Sequence, residues 1–406
     1  MLHIITKIKE KGVIGTLKAI RSKVINIPNA ILMPAKLRKL VKDREYKIAQ
    51  GLNIQEIRKK TLNYIETMRV KDVPYGQYKY SHGQNEPVLY ASIYAALTRH
   101  LYRDIDELKE KQRKEWVNYI QSFQDDDGLF KDPAIKNDIA GNVDWWGWRH
   151  LTLHALMALT SLGATAEKKF KILEPFKSKI SIIEWLNTKG PLANKIHKIL
   201  NYFTFLQYAR DFQEERWAEE PLQTVFEWLN KHQDRETGCW DTRFKTLKLV
   251  SEGIKIGYHV WGLYFYDRKP IQYVERIIDS CISTQNKFGG FDFSSNSSAC
   301  DDIDSIDPLV RLSRITEYRR SEVYSALRKA IPWILANMNA DGGFVFKRMI
   351  SFMYGHQKMF SGKDESAMFP TWFRTLSLAY IGKCMPESLP GKFDWKFIKC
   401  PGLQFW

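Results

Sequence analysis

Four aspartates fall within seven residues of this sequence: Asp301, Asp302, Asp304 and Asp307. Pro308 follows Asp307, a pairing typical of a helix N-cap and first helical residue, so the preceding acids are expected on a loop that enters a helix. Partly buried carboxylates repel one another, which keeps one protonated near neutral pH while its ionised neighbours orient it. The group is therefore a candidate general acid. A structural role is the alternative, because the helix macrodipole also favours acids at helix N-termini.

A repeat marks the elements that must position these acids. Four segments share Gln or Asn, a short polar run, Gly and then an aromatic residue, and they occupy residues 124–130, 233–240, 285–291 and 339–344. Their starts are 109, 52 and 54 residues apart, so one unit near residue 178 is expected to have lost the signature while keeping the length. A period of about 50 residues indicates a repeat architecture.

Each repeat segment follows a helical pattern, and its glycine is expected to end that helix and turn the chain. One unit is then a hairpin of two helices, and six hairpins closed in a ring predict an all-α fold for residues 49–406, an α6/α6 toroid. Residues 148–162 and 373–381 are almost wholly apolar and are expected in the inner ring, whereas the charged segment 215–231 is expected outside. Strand patterns are nearly absent, and no linker divides this domain.

The order of these motifs resembles that of class II terpenoid cyclases of the squalene-hopene type, within the wider superfamily of terpenoid cyclase and protein prenyltransferase α/α toroids. The likeness rests on residues 289–293, then Asp302-Ile303-Asp304-Ser305, then residues 339–344. Members of that family carry QW repeats, with a DxDD motif at about this distance between two of them. The likeness covers the C-terminal half and, upstream of it, only residues 124–130. Ser305 stands where the motif has its last aspartate.

The resemblance implies an enzyme that protonates an alkene or epoxide of an isoprenoid or polyprenyl substrate, with no cofactor and no metal. By position, Asp304 would be the acid, with Asp302 as its hydrogen-bonded partner and Asp307 tuning it. The resulting carbocation needs aromatic faces and the exclusion of water. The residues expected to line the substrate site are Trp145, Trp146, Trp148, His150, Trp240, His259, Trp261 and Trp372.

Three other interpretations stay open. Zinc protein prenyltransferases are single toroids of similar length, for which Cys300, Asp302 and His356 would be the ligand set. His150 and His154 also have a metal-ligand spacing, although we interpret them as pore-lining or core residues. A carbohydrate-active α/α-barrel enzyme, including one that assembles surface glycans, would use paired carboxylates as acid and base. A non-catalytic toroid that binds a lipid or a protein is the third, because fold does not fix function.

The basic residues are concentrated at the N-terminus. The net charge is +16, and residues 1–48 contribute +9 of it, with 12 Lys and Arg against 3 Asp and Glu. Apolar positions and lysines follow helical spacing here, which predicts that residues 1–48 form a basic amphipathic helical arm that binds an anionic membrane surface through residues 1–25. An ordinary solvated amphipathic helix is the alternative. No RNA-binding motif or zinc knuckle accompanies the charge, so nucleic acid is not an expected partner.

Cysteine usage and hydropathy indicate the compartment. The five cysteines are odd in number and show no CxxC spacing, which predicts free thiols in a reducing environment. The sequence has no stretch of about 18 uninterrupted apolar residues. Residues 1–25 lack the unbroken apolar run of a signal peptide. We therefore expect a cytoplasmic protein that associates peripherally with the membrane.

Overall fold

α-Helices form most of the chain, as the sequence predicts. The structure, a computed structural model, describes residues 33–135, 146–190, 192–240 and 246–406. In these ranges no helix combines the length and apolarity needed to cross a bilayer. The helices are α1 (33–49), α2 (Ile54–Met68), α3 (Leu89–Leu101), α4 (Glu110–Gln121), α5 (Trp148–Ser161), α6 (Lys179–Leu186), α7 (Leu192–Phe212), α8 (Glu219–His232), α9 (Leu247–Tyr266), α10 (Val274–Ser283), α11 (Ala299–Leu312), α12 (Arg320–Ala336) and α13 (Met368–Cys384).

The odd-numbered helices from α3 to α13 pack on one another in chain order. Helix α3 contacts α5, and the series continues through α7, α9 and α11 to α13, which packs in turn on α3. Even-numbered helices lie beside them, for example α8 on α7 and α10 on both α9 and α11. Twelve of the thirteen residues of α3 are buried, whereas only Trp116 and Ile120 are buried in α4. A helix buried on all sides lies deep, so α3 belongs to the interior and α4 to the surface.

The repeat segments are the loops that connect α4 to α5, α8 to α9, α10 to α11 and α12 to α13. In the third of these loops, the Gln285 side-chain amide donates to Gly289 O at 3.1 Å and, in the neighbouring unit, to Ala326 O at 2.8 Å. Gln124 and Gln233 make the same pair of bonds in the first two loops. The glutamine thus ties each loop to the unit that follows. The hairpin of α6 and α7 fills the interval near residue 178.

The glycine of each loop is pressed against the next unit. Gly289 has φ +97°, and a Cβ at this position would lie 2.1 Å from Lys329 O. Gly342 has φ +94°, and a Cβ there would lie 2.0 Å from the carbonyl oxygen of Lys60 on α2. Only glycine combines a left-handed backbone with so close an approach. The last repeat loop therefore contacts the first helix of the repeat region.

Helix α1 packs on the outside of this arrangement. Leu37 and Val41 form a small apolar cluster with Phe288 and Trp333. The Arg44 guanidinium donates to Met338 O at 2.9 Å. The part of the predicted arm that carries the membrane prediction, residues 1–25, lies outside the described residues.

Extended structure is limited, in the described ranges, to isolated bridges and one short antiparallel pair, Phe352–Met353 with Phe360–Ser361. All five cysteines are free thiols, which confirms that prediction.

Candidate functional site

The four aspartates lie on helix α11 itself. The prediction that Asp307 caps this helix is wrong, since α11 begins eight residues earlier, at Ala299. Ser298 is the N-cap: its side chain accepts from the Asp301 N–H at 3.2 Å, while the Asp301 carboxylate accepts from the Ser298 N–H at 2.8 Å. This capping box satisfies the start of the helix, so Pro308 falls in the helix interior, where its missing N–H costs one backbone hydrogen bond.

Helical spacing sorts the four acids onto two faces. Asp301, Asp304 and Asp307 are three residues apart and form a row along one side of α11. This acid row meets α9, because Asp301 binds Lys255 and the other two carboxylates interact with a tyrosine of α9. Asp302 points away from the row and contacts α12 and α13, so it is not the hydrogen-bonded partner of Asp304 that the resemblance implies.

Asp302 is a fully buried anchor between elements. Its Oδ1 accepts from Phe291 N–H at 2.9 Å and Ser297 Oγ at 2.6 Å. Its Oδ2 accepts from Trp333 Nε1 at 2.9 Å and Arg374 Nη1 at 2.7 Å. Burial raises the pKa of Asp302, but the Arg374 guanidinium and the other donors oppose this shift. Because four donors and no acceptor surround both oxygens, the carboxylate stays ionised at neutral pH.

Asp304 has the opposite environment. Its side chain is buried, and its carboxyl accepts no hydrogen bond from the described residues. Burial raises the pKa of Asp304 well above its ordinary value, and the negative charge of Asp301 adds to the shift. The Lys255 ammonium partly offsets both effects, but it binds the Asp301 carboxylate directly, at 2.9 Å. Asp304 is therefore the carboxyl of α11 that most readily holds a proton.

Asp307 ends the row in a buried ion pair. Arg311, one turn further on, contacts the Asp307 carboxylate and donates to Tyr380 Oη at 3.0 Å and Phe405 O at 2.7 Å. Burial raises the pKa of Asp307, and the guanidinium opposes this shift. The hydroxyl of Tyr258 on α9 is buried near both Asp304 and Asp307 and has no hydrogen-bond partner among the described residues. It is available to a ligand.

A continuous aromatic stack lies among α3, α5 and α13. Trp146, Tyr90, Tyr94 and Trp372 follow one another with ring centroids 6.0, 5.8 and 5.2 Å apart. All four side chains are almost completely buried. The structure thus brings together two of the tryptophans predicted to line a substrate site, and it adds two tyrosines that carry no sequence motif.

Two buried histidines of α5 contact this stack. The rings of His150 and His154 are 4.2 Å apart. His150 Nδ1 lies 2.8 Å from the Tyr90 hydroxyl and its Nε2 lies 3.3 Å from the Tyr354 hydroxyl, whereas neither ring nitrogen of His154 has a partner in the described ranges. Burial lowers the pKa of His150 well below its ordinary value and that of His154 to about 3. Both imidazoles are therefore neutral.

Cys300 connects the acid row with the aromatic stack. It lies one turn before Asp304 on α11, and its thiol interacts electrostatically with that carboxyl. Burial raises the pKa of both Tyr80 and Tyr354, and the Cys300 thiol adds to each shift. The hydroxyl of Tyr80 is buried without a partner among the described residues. Cys300 thus interacts with both Asp304 and Tyr354, the tyrosine whose hydroxyl lies 3.3 Å from His150 Nε2.

His259, another predicted site residue, lies on α9. Its Nδ1 is 2.6 Å from Lys255 O, and its ring is 4.7 Å from that of His197. Burial lowers the pKa of His259 to about 3, and His197 and His150 add to the shift. His259 thus extends the group of neutral imidazoles from α5 to the helix that also carries Lys255.

The other predicted tryptophans are more dispersed. Trp148 is half-buried at the start of α5. Trp240 donates its indole N–H to Leu229 O at 2.9 Å, which ties it to α8. Trp261 is buried on α9, and its N–H has no partner among the described residues. Trp145 lies outside the described residues.

The described residues contain no metal site, and the open grooves of the protein lie away from the acid row and the histidines. No group of three or more His, Cys, Asp or Glu side chains in the described ranges could hold a metal ion. Of the ligand set considered for zinc, Asp302 already has both oxygens occupied, and His356 is stacked parallel to Trp146. One open groove of about 490 Å³ lies between α6 and α8 and another of about 320 Å³ beside α2 and α4; neither is lined by Asp304 or the histidines.

Lys255 and Arg374 are site residues that the motifs do not reveal. Arg374 is a lone cation within an apolar stretch of α13, and Lys255 is flanked by two isoleucines on α9. A buried cation needs an anionic partner, so this isolation is the signal by which both could have been found. Tyr90 and Tyr94 give no such signal, because aromatic residues at helical spacing are typical of any core.

Comparison with known proteins identifies no relative. No protein family matches the chain, and no curated protein matches it in sequence. The assignment of function therefore rests on the residues of the site.

Proposed function

We propose that residues 49–406 form an α6/α6 toroid, with the odd-numbered helices α3 to α13 as the inner ring and the even-numbered helices α2 to α12 as the outer one. Two observations support this arrangement. The contacts between odd helices run in chain order and return from α13 to α3. The contact of Gly342 with Lys60 also joins the last repeat unit to the first.

We infer that the protein is an enzyme that acts on an isoprenoid or polyprenyl substrate, with Asp304 as the acid. One observation carries this inference. Asp304 is a buried carboxyl with a raised pKa and no hydrogen bond among the described residues, and it lies two positions from the ionised, fully bonded Asp302. A carboxyl of this kind holds its proton at neutral pH and has no protein acceptor to which that proton is directed.

In the proposed step, the Asp304 Oδ–H bond breaks and its proton adds to one carbon of a substrate double bond. The electron pair of that double bond forms the new C–H bond, and the other carbon becomes a cation. The carboxylate left behind lies near the Lys255 ammonium. The ring faces of Tyr94 and Trp372 would stabilise positive charge on the hydrocarbon. Loss of a proton to a neutral base, or addition of water, would end the reaction.

The other predicted residues and partners take supporting roles. Asp302 positions α11 against α12 and α13, while Asp307 closes the end of the acid row in an ion pair with Arg311. Trp146 and His150 would contact the part of the substrate that is remote from Asp304. We further propose that residues 1–25 bind an anionic membrane surface and that the protein is cytoplasmic and peripherally membrane-associated.

A second candidate is a carbohydrate-active enzyme or a protein of surface-glycan biosynthesis. Specific polar atoms favour it: both ring nitrogens of His154 and the hydroxyl of Tyr80 are buried without partners in the described ranges. Buried donors and acceptors left unpaired cost free energy, and the hydroxyl groups of a sugar would satisfy them. A lipid-linked sugar would satisfy both the aromatic stack and these polar atoms.

The test uses the full chain and two conservative variants, Asp304→Asn and the exposed control Asp72→Asn. Small molecules that co-purify with the protein are identified by native mass spectrometry and organic extraction, and the recovered class of isoprenoid is then supplied as substrate. Asp304→Asn should lose product formation while still retaining the ligand, and Asp72→Asn should match the wild type. Undiminished turnover by Asp304→Asn would exclude it as the acid, and a co-purifying oligosaccharide would favour the second candidate.

The pH profile tests the same role independently. Because the pKa of Asp304 is raised, its proton is present at neutral pH and is lost only as pH rises through that value. Turnover should therefore fall on the alkaline side. Difference infrared spectroscopy at neutral pH should detect a protonated carboxyl in the wild type that is absent from Asp304→Asn.

A further inference from the structure

Large apolar side chains are exposed along one strip of the surface. Of the ten such side chains in the described ranges, five lie where α9, α11 and α13 begin or in the loops before them: Leu247 is 45% exposed, Leu249 38%, Phe293 46%, Ile350 44% and Met353 49%. We call this strip, residues 246–251, 286–298 and 345–353, the loop rim. Single exposed apolar residues are common, but a contiguous group marks an interaction site.

Hydrogen bonds show that the three segments of the loop rim are neighbours. Ser251 Oγ donates to Asp292 Oδ1 at 3.2 Å, which joins the start of α9 to the loop that carries Phe293. Asn296 Nδ2 donates to Arg348 O at 2.9 Å, which joins that loop to the one before α13. The five apolar side chains are therefore carried by one connected surface.

The charge of the loop rim is positive. Lys248 and Lys287 are exposed and Lys347 is half-exposed, and none of the three forms an ion pair with a described residue. The nearby carboxylate of Glu252 lies 3.3 Å from Lys255 and is neutralised by it. Apolar side chains beside lysines that lack an anionic partner in the described ranges are complementary to a surface that presents both hydrocarbon and negative charge.

The N-terminal segment joins the protein at the same place. The sulfur of Met33 lies 3.8 Å from Asn296 Nδ2, and Met33 and Met349 pack on the same apolar cluster as α1. Residues 1–32, which precede Met33 directly, contain six Lys and Arg against one Glu. A second cationic segment is thus attached to the loop rim.

We propose that the loop rim docks on an anionic lipid bilayer, with Phe293, Ile350 and Met353 inserted among the lipids and the three lysines at the headgroups. Phospholipid is the occupant that matches both the apolar side chains and the unpaired cations. This surface is distinct from residues 1–25, and the two act together, since stable peripheral binding takes two weak signals. The proposal does not depend on the chemistry of Asp304.

The loop rim also leads to the aromatic interior. Phe346 and Phe352 are half-buried residues of the loop rim, and their rings stack with centroids 3.7 Å apart. Phe352 in turn lies 6.4 Å from Phe369 and 5.8 Å from Tyr354, which contacts His150. A lipid held at the loop rim would meet a series of aromatic faces that extends toward the histidines.

Vesicle co-sedimentation of the full chain tests the proposal, with phosphatidylcholine vesicles prepared with and without phosphatidylglycerol. The rim variant replaces three rim residues, and the control variant replaces three equally apolar exposed residues elsewhere. We expect the rim variant to bind anionic vesicles at least about tenfold more weakly than the wild type and the control to bind equally well. The rim variant is Phe293→Glu with Ile350→Glu and Met353→Glu, and the control is Ile180→Glu with Ile183→Glu and Ile315→Glu.

A charge variant keeps the test decisive if the rim variant does not fold. Lys248→Glu with Lys287→Glu and Lys347→Glu should weaken binding to anionic vesicles and leave binding to neutral vesicles unchanged. Wild-type binding by both variants, or no vesicle binding by the wild-type protein, would overturn the proposal. A wild-type dimer that the rim variant dissociates, without loss of vesicle binding, would assign the loop rim to contact between two copies instead.

Discussion

The substitutions Asp302→Asn and Asp304→Asn make the same chemical change two residues apart on α11. We expect Asp302→Asn to lower the stability of the protein and Asp304→Asn to raise it at neutral pH. In Asp302→Asn, one carboxylate oxygen becomes an NH2 group. In either orientation of the amide, that group faces two donors, since all four partners of Asp302 donate. The loss of charge also leaves the fully buried Arg374 without its anion.

The magnitudes follow from these environments. Breaking a buried ion pair by removing one partner costs about 3–5 kcal/mol. With an unfolding entropy of roughly 2.1 cal/mol/K per residue over 406 residues, Asp302→Asn should melt about 4–6 °C below the wild type. At position 304 the folded pKa is raised, so above the ordinary pKa of Asp the unfolded chain releases this proton first and the native state loses stability. Up to the raised pKa, this loss grows by about 1.4 kcal/mol for each pH unit above the ordinary pKa of Asp.

Asparagine does not titrate, so Asp304→Asn should be more stable than the wild type at pH 7, and the difference should vanish below about pH 4. Thermal unfolding followed by circular dichroism at both pH values measures these shifts, with Asp72→Asn as the exposed control. The assignment of an ionised anchor and a protonated acid would be refuted if both variants lost stability equally at pH 7. A gain in stability on losing the reactive group is typical of functional sites.

Two further substitutions test the repeat and the interior. Gly342→Ala puts a methyl group 2.0 Å from Lys60 O, whereas the control Gly163→Ala has a similar φ of +82° but no atom within 4 Å. Gly342→Ala should therefore lower the free energy of unfolding by about 1–3 kcal/mol more than the control does. Equal losses of the two variants in chemical unfolding would leave no role for the close approach. His154→Phe removes two buried nitrogens that have no partners in the described ranges. The substitution should raise the unfolding free energy by about 1–3 kcal/mol. It should also reduce the retention of any ligand that carries hydroxyl groups. A less stable His154→Phe protein that kept its ligand would contradict this.

The helices were predictable where the sequence repeats a local signal. The segment 148–162 was expected to be helical, and α5 spans Trp148–Ser161. The prediction that each repeat glycine ends a helix is wrong, since the helices end six or seven residues earlier and the glycines occupy left-handed turns within the loops. The start of α11 is not predicted correctly, because Asp307-Pro308 is a strong local signal for an N-cap. Ser298 and Asp301 carry a competing signal, the spacing of a capping box, and the packing of α11 on α9 and α13 outweighs the cost of an internal proline.

The candidate site depends on pairings that no local pattern contains. Arg374 is 72 residues from Asp302, and Trp333 is 31 residues from it. In the sequence, Arg374 and Trp333 both lie in apolar stretches of their helices. An arginine is an exception in such a stretch, whereas a tryptophan is typical of the core. Their convergence on one carboxylate is fixed by the packing of α11, α12 and α13. The burial that raises the pKa of Asp304 is likewise a property of the assembled helices.

Because the acids lie on a helix, Asp302 and Asp304 can have different roles, one as an ionised anchor and the other as the proposed acid. The same placement explains why a serine at position 305 leaves the proposed role of Asp304 unchanged. Residues two apart on an α-helix point about 200° apart, so Asp302 reaches α12 and α13 while Asp304 faces α9. Ser305 contacts the Cys281 thiol on α10, and so it lies outside the acid row. The like charges that raise the pKa of Asp304 come from Asp301 first, and from Asp302 and Asp307. A neutral residue at position 305 therefore leaves the electrostatic basis of the acid in place.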